Sequence, residues 1–144
     1  MAREHLYKAK RKDNGEWVFG DLLHPDIYGN GYAIEDFTKG KNNCFDVDEN
    51  TICQYTGLKD KNGTKIYEGD IVRTLNKPCS LDKTRYVEGV VMFGEYSTPY
   101  TKGHWGYYVD WDLTKSLAIY CATKDIEVIG NKFDNPELLE VQDV

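Results

Sequence analysis

QYTGLKDKNGTKIYEGDIVR, residues 54 to 73, packs a turn signal, two strand-like runs and a Gly-Asp step into twenty residues. Asn62-Gly63 supplies two residues that tolerate positive φ, which a tight hairpin turn requires. Ile52, Tyr55 and Leu58 precede it and Ile66 and Tyr67 follow it. These are the apolar, β-branched and aromatic residues that suit a pleated, half-buried surface. The pattern predicts a hairpin with its tip at Asp60 to Thr64. Gly69, set inside the second run, marks a bulge or a sharp bend before Asp70-Ile71-Val72.

Outward from this hairpin the chain reads as mainly β. His5–Arg11 and Trp17–Leu23 flank a second Asn-Gly tip, Asn14-Gly15. His24–Gly31 is rich in turn residues and reads as a loop, and Thr38–Asn43 carries no apolar residue and reads as another. Tyr32–Asp36 and Phe45–Asp48 are short strands. Pro78 interrupts the chain after Val72. Tyr86–Phe93 is then the strongest apolar run, strand-like in its length and branching. Glu95–His104 reads as a loop, and Tyr107–Trp111, Leu117–Tyr120 and Ile126–Ile129 as strands. Asn135-Pro136 is set to start a short helix, with Asn as cap and Pro at the first position. About five strands follow Tyr67, separated by short turns, a count that suits an SH3-like barrel. The expected organisation is a smaller β-rich subdomain over residues 1–66 and a barrel with a short C-terminal helix or tail over 67–144.

Four pieces of this sequence resemble the YopX-like proteins, small proteins encoded mainly by bacteriophages and prophages. The 54–73 string resembles the family's hallmark. Leu6-Tyr7-Lys8-Ala9, running through Asn14-Gly15 into Trp17-Val18-Phe19-Gly20-Asp21-Leu22, resembles its opening hairpin. Val47–Ile52 resembles the lead-in to the hallmark. Glu127–Asn131, with Asn135-Pro136-Glu137-Leu138-Leu139, resembles its C-terminal signature. The opening departs from the usual aromatic-Arg-x-Trp, for Tyr7-Lys8-Ala9-Lys10 stands there. The resemblance implies the same SH3-like fold and a phage or prophage setting. It brings no biochemical activity with it.

Composition sets outer bounds. A chain of 144 residues, 40% of them hydrophobic, supports one domain or one domain with an appendage. No window approaches the roughly 20 apolar residues of a membrane helix, and the start lacks a secretory apolar core. Both observations point to the cytoplasm of a bacterial host and away from membranes. Eighteen Lys and Arg stand against 24 Asp and Glu, for a net charge of −6. That balance disfavours wrapping by nucleic acid. Locally, however, Arg73, Lys77, Lys83 and Arg85 stand together against Asp82 alone, and beside stacking rings they would suit a single strand. The plainer reading of that run is a solvated loop. Cys44, Cys53, Cys79 and Cys121 form no Cys-x-x-Cys pair, so neither a zinc site nor, in a reducing cytoplasm, a disulfide is expected. Cys53 is expected to be buried.

The search for chemistry finds no catalytic constellation. His5, His24 and His104 have no Cys or Ser partner at a motif spacing, and there is no nucleophile elbow or phosphate loop. The reading is of a protein that is not an enzyme and needs no cofactor; an enzyme of unrecognised type would have to show a pocket with convergent polar groups. What stands out is a run of rings: Tyr96, Tyr100, His104, Trp105, Tyr107 and Tyr108. Aromatic residues are enriched at interface cores. The alternative is that these rings fill the interior, and by the period-two rule one of Tyr107 and Tyr108 points inward. The leading expectation is therefore an accessory protein that binds a phage or host protein through Tyr96, Tyr100, His104, Trp105 and Tyr107. Homo-oligomerisation is expected as well, because exposed strand edges tend to be covered. The alternative is nucleic-acid binding through Arg73, Lys77, Lys83 and Arg85.

Overall fold

The computed structural model describes residues 6–29, 31–36, 43–74, 87–96, 104–111, 115–118 and 126–139. The chain is mainly β and packs as two compact units, residues 1–55 and 56–144.

In the first unit, β1 (Tyr7–Lys10) pairs antiparallel with β2 (Trp17–Leu23) in the hairpin read from Asn14-Gly15. β2 pairs with β3 (Ala33–Glu35), and β3 with β4 (Cys44–Asp46). On its other side β1 meets the start of β5 (Cys53–Lys59), with Tyr7 opposite Gln54. Ala9, Val18, Ile34 and Val47 are fully buried and form the core, with Tyr7, Leu22, Tyr32, Phe45 and Ile52 packed around them. Two short helical turns depart from the sequence reading. Pro25–Tyr28 forms one α-helical turn, α1, inside the stretch read as a loop; Pro sits in its first turn and Gly29 closes it. Glu49–Thr51 forms a 3-10 turn whose start is capped by Asp48, which accepts from the Asn50 N–H at 3.0 Å. Both are single turns, too short for a 3.6-residue period to show. Cys53 is buried, as expected, with 2% of its surface exposed.

The second unit begins with the hallmark hairpin, β5 turning into β6 (Lys65–Tyr67). A five-stranded antiparallel sheet follows in the order β10-β9-β8-β7-β11. Its strands are β7 (Asp70–Thr74), β8 (Val87–Tyr96), β9 (His104–Trp111), β10 (Lys115–Ala118) and β11 (Ile126–Asn131). Ile66, Val72, Val91, Val109 and Ile126 form the buried core, with Leu58, Tyr107 and Val128 packed against it. A bulge falls between Val128 and Gly130 in the β7–β11 ladder. Pro136–Leu139 forms a 3-10 turn that lies against β8, at the place expected for a short helix. Its Asn135 carbonyl accepts from the Leu138 N–H, while the Asn135 side chain serves Asn131 instead of capping. Among the described residues no helix is long and apolar enough to cross a membrane.

Candidate functional site

The two buried acids of the hallmark, Asp60 and Asp70, are committed to the backbone. Asp60 is buried, and its carboxylate accepts three main-chain hydrogen bonds: from Asn62 and Thr64 across its own turn at 2.8 and 2.9 Å, and from Val128 of β11 at 2.9 Å. A carboxylate survives burial only when such donors replace its water. The turn closes with Asp60 N–H on the Thr64 carbonyl and Gly63 N–H on the Asp60 carbonyl. Gly63 takes φ of 82°, the left-handed region that glycine enters at no steric cost. Lys61 N–H donates to the Ile126 carbonyl, so the tip covers part of the β11 edge. At the other end of the string, Asp70 is 2% exposed and accepts from the Tyr67 N–H at 2.8 Å, which fixes the bend at Gly69.

The C-terminal signature is built the same way. The Asn131 side chain accepts from the N–H groups of Phe133 and Asp134 at 3.0 and 2.9 Å. Asn135 accepts in turn from the Asn131 N–H. A side chain on Gly130 would meet Asn135 Oδ1 at 2.4 Å, so only glycine leaves room for this turn.

A cleft of about 360 Å³ in the first unit is lined by Arg11, Asp13, Cys44, Phe45 and Asp46. Arg11 is already engaged there. It pairs with Asp13 through two hydrogen bonds and lies 4.4 Å from the centre of the Phe45 ring. The Arg11 guanidinium holds the exposed Asp13 carboxyl below the usual carboxylate range. Among the described residues no three His, Cys, Asp or Glu side chains gather as metal ligands would.

The feature left over is the far end of the β8–β9 ladder. Among the described residues β7 pairs with β8 as far as Val90, and β10 pairs with β9 at Tyr108–Trp111. Past those points Met92–Tyr96 and His104–Tyr107 run on as a two-stranded ribbon, in register to the pair Tyr96–His104. Residues directly opposite in an antiparallel pair share a face. The face that holds buried Val91 and Val109 therefore continues outward through Phe93 with Tyr107, then Glu95 with Trp105. Burial falls along it: Val91 is 1% exposed, Phe93 55% and Trp105 72%. Phe93 and Tyr107 meet edge to face, with ring centres 4.9 Å apart. Tyr107 is the ring that packs against the core, while Tyr108 lies on the other face and its hydroxyl donates to Met92 Sδ at 3.8 Å. Met92 is exposed as well.

Of the residues singled out in the sequence, Trp105 and Tyr107 thus share one face of the ribbon, and Tyr96 and His104 form its last backbone pair. Tyr100 lies outside the described residues. Phe93 and Glu95 join the site: the sequence places Phe93 at the end of a strand-like apolar run and Glu95 at the start of a loop, whereas both belong to β8. Of the basic group, Arg73 alone is described. Arg73 stands between Glu88 and Glu127 in register and donates to Glu127 at 3.1 Å. Lys77, Lys83 and Arg85 lie outside the described residues.

This fold, with its backbone-bound signatures, defines a class. The profile of the YopX protein matches residues 6–140, and the chain belongs to the YopX family. Protein EF1440 from Enterococcus faecalis, known from a crystal structure, shares the fold with a TM-score of 0.56 at 24% identity, over 96% of this chain and 100% of that one. No curated protein matches. Lys8 and Lys10 of β1 place their ammonium groups 4.8 and 5.5 Å from the centre of the Trp17 ring.

Proposed function

We propose that this protein is a non-catalytic interaction module of phage or prophage origin. Its second unit serves as an SH3-like barrel, and it acts in the bacterial cytoplasm on a protein of the phage or its host. The observation that carries this reading is the apolar face of the ribbon, which leaves the core at Val91 and Val109 and reaches solvent at Phe93 and Trp105. Exposed rings on a supported strand pair provide large contact area at small entropic cost. The buried acids of the signatures, Asp60 and Asp70, accept main-chain hydrogen bonds, a structural duty that favours a scaffold over an enzyme. Self-association through open strand edges belongs to the same reading.

The test is capture from a lysate of the bacterial host by the tagged chain and by Trp105→Ala, each with and without nuclease. A partner protein that survives nuclease and is lost from the variant supports the reading; truncating an aromatic anchor costs about 2 kcal/mol or more, roughly thirtyfold in affinity. Equal recovery by both chains would remove the ribbon from the account. Recovery that depends on nucleic acid would move the basic group to first place.

A further inference from the structure

Resting on the interaction reading, we infer that the ribbon recognises a basic side chain in an extended segment of its partner. A Lys or Arg flanked by apolar residues is seated between the Trp105 ring and the Glu95 carboxylate. Glu95 and Trp105 are opposite one another in the β8–β9 register, so their side chains lie on one face. Both are exposed. Neither makes an ion pair or a ring contact among the described residues, although elsewhere in the chain Lys8, Lys10, Arg11 and Lys132 all lie over rings.

A carboxylate beside an open indole face is a recognition pair for a cation. The ring quadrupole attracts the charge, and the carboxylate completes the ion pair. Phe93, one pair further in, offers an apolar surface to the neighbouring side chain of an extended segment, whose alternate residues face the ribbon. The net charge of −6 steers a basic partner toward the chain at long range and repels a nucleic-acid backbone.

A random-peptide display library panned on the full chain tests this. Parallel selections use Trp105→Ala and Glu95→Lys, and circular dichroism verifies that both variants remain folded. The expected result is enrichment of peptides with a Lys or Arg next to an apolar residue. Their affinity should drop at least tenfold on Trp105→Ala, and Glu95→Lys should shift the selected peptides toward Asp and Glu. Peptides that depend on Trp105 but carry no basic residue, or that are indifferent to Glu95→Lys, would overturn this inference and leave the interaction reading standing. No Trp105-dependent peptide at all would overturn both. A Trp105-dependent dimer in sedimentation, or Trp105-dependent binding of oligo-dT, would show that the occupant is a second copy or a nucleic acid and would equally overturn it.

Discussion

Asp60 shows why a hallmark without chemistry can still be specific. One carboxylate serves the Asn62 and Thr64 N–H groups inside the turn and the Val128 N–H on β11. Replacing it with Ala leaves three donors without their acceptor, each worth about 1 kcal/mol or more when the partner is charged and shielded. Asp60→Ala should therefore lower stability by about 3 kcal/mol, read as a fall in the urea midpoint, with Asp60→Asn intermediate because one acceptor oxygen remains. A loss below about 0.5 kcal/mol would mean that the turn holds without its carboxylate. Glu68 makes the opposite case. It is half-buried, and desolvation raises its carboxyl above the usual value, an effect the nearby Lys132 charge only partly offsets. Such a group keeps its proton to higher pH in the folded chain than in the unfolded one. Its contribution is whole at low pH and is lost as pH rises through the carboxylate range. Glu68→Gln should then be more stable than the parent at neutral pH, with the gap closing as pH falls below the ordinary glutamate value. Urea midpoints across that range check the sign.

At the scale of elements, the ribbon and the hairpins part company. The Asn-Gly tips were legible in the sequence because Asn and Gly carry their own local turn chemistry, and the structure turns at both. The ribbon was legible only in part. Its exposure arises because β8 runs to Tyr96 while its pairing with β7 reaches only Val90 among the described residues, a mismatch in length that no local residue pattern marks. Tyr86–Phe93 reads as one apolar, strand-like run, and nothing in it shows that Phe93, at its end, is 55% exposed. The same register explains Tyr107 and Tyr108: alternation required that one face inward, and the pairing with Phe93 and the contact with the core select Tyr107. An element supported on one side by a core and free at its end tolerates truncation of its outermost ring. Trp105→Ala is expected to change stability by less than about 0.5 kcal/mol, measured by thermal or urea unfolding, even as it abolishes capture. A large loss of stability would place Trp105 in the folding machinery instead.

Across the whole molecule, Asp60, Asp70, Asn131 and Asn135 hold backbone, and Phe93 and Trp105 carry the apolar face of the ribbon out into solvent. The family membership and the mainly β architecture were readable because turn residues and strand periods are local. The shared role of β5 was not. It pairs with β1 at its start, as Tyr7 with Gln54 shows, and hairpins onto β6 at its end, so the compact units meet along the chain at Tyr55 and Thr56, within one strand. Residue patterns mark strands and turns, but they do not say with which neighbours one strand divides its edges. The measurement that bears most directly on the central claim is hydrogen–deuterium exchange on the full chain, alone and in the complex captured from host lysate. The account predicts new protection at Val91–Tyr96 and His104–Val109, with the 54–73 hairpin unchanged. Protection confined to the Arg11–Asp46 cleft, with the ribbon exchanging as in the free chain, would contradict it.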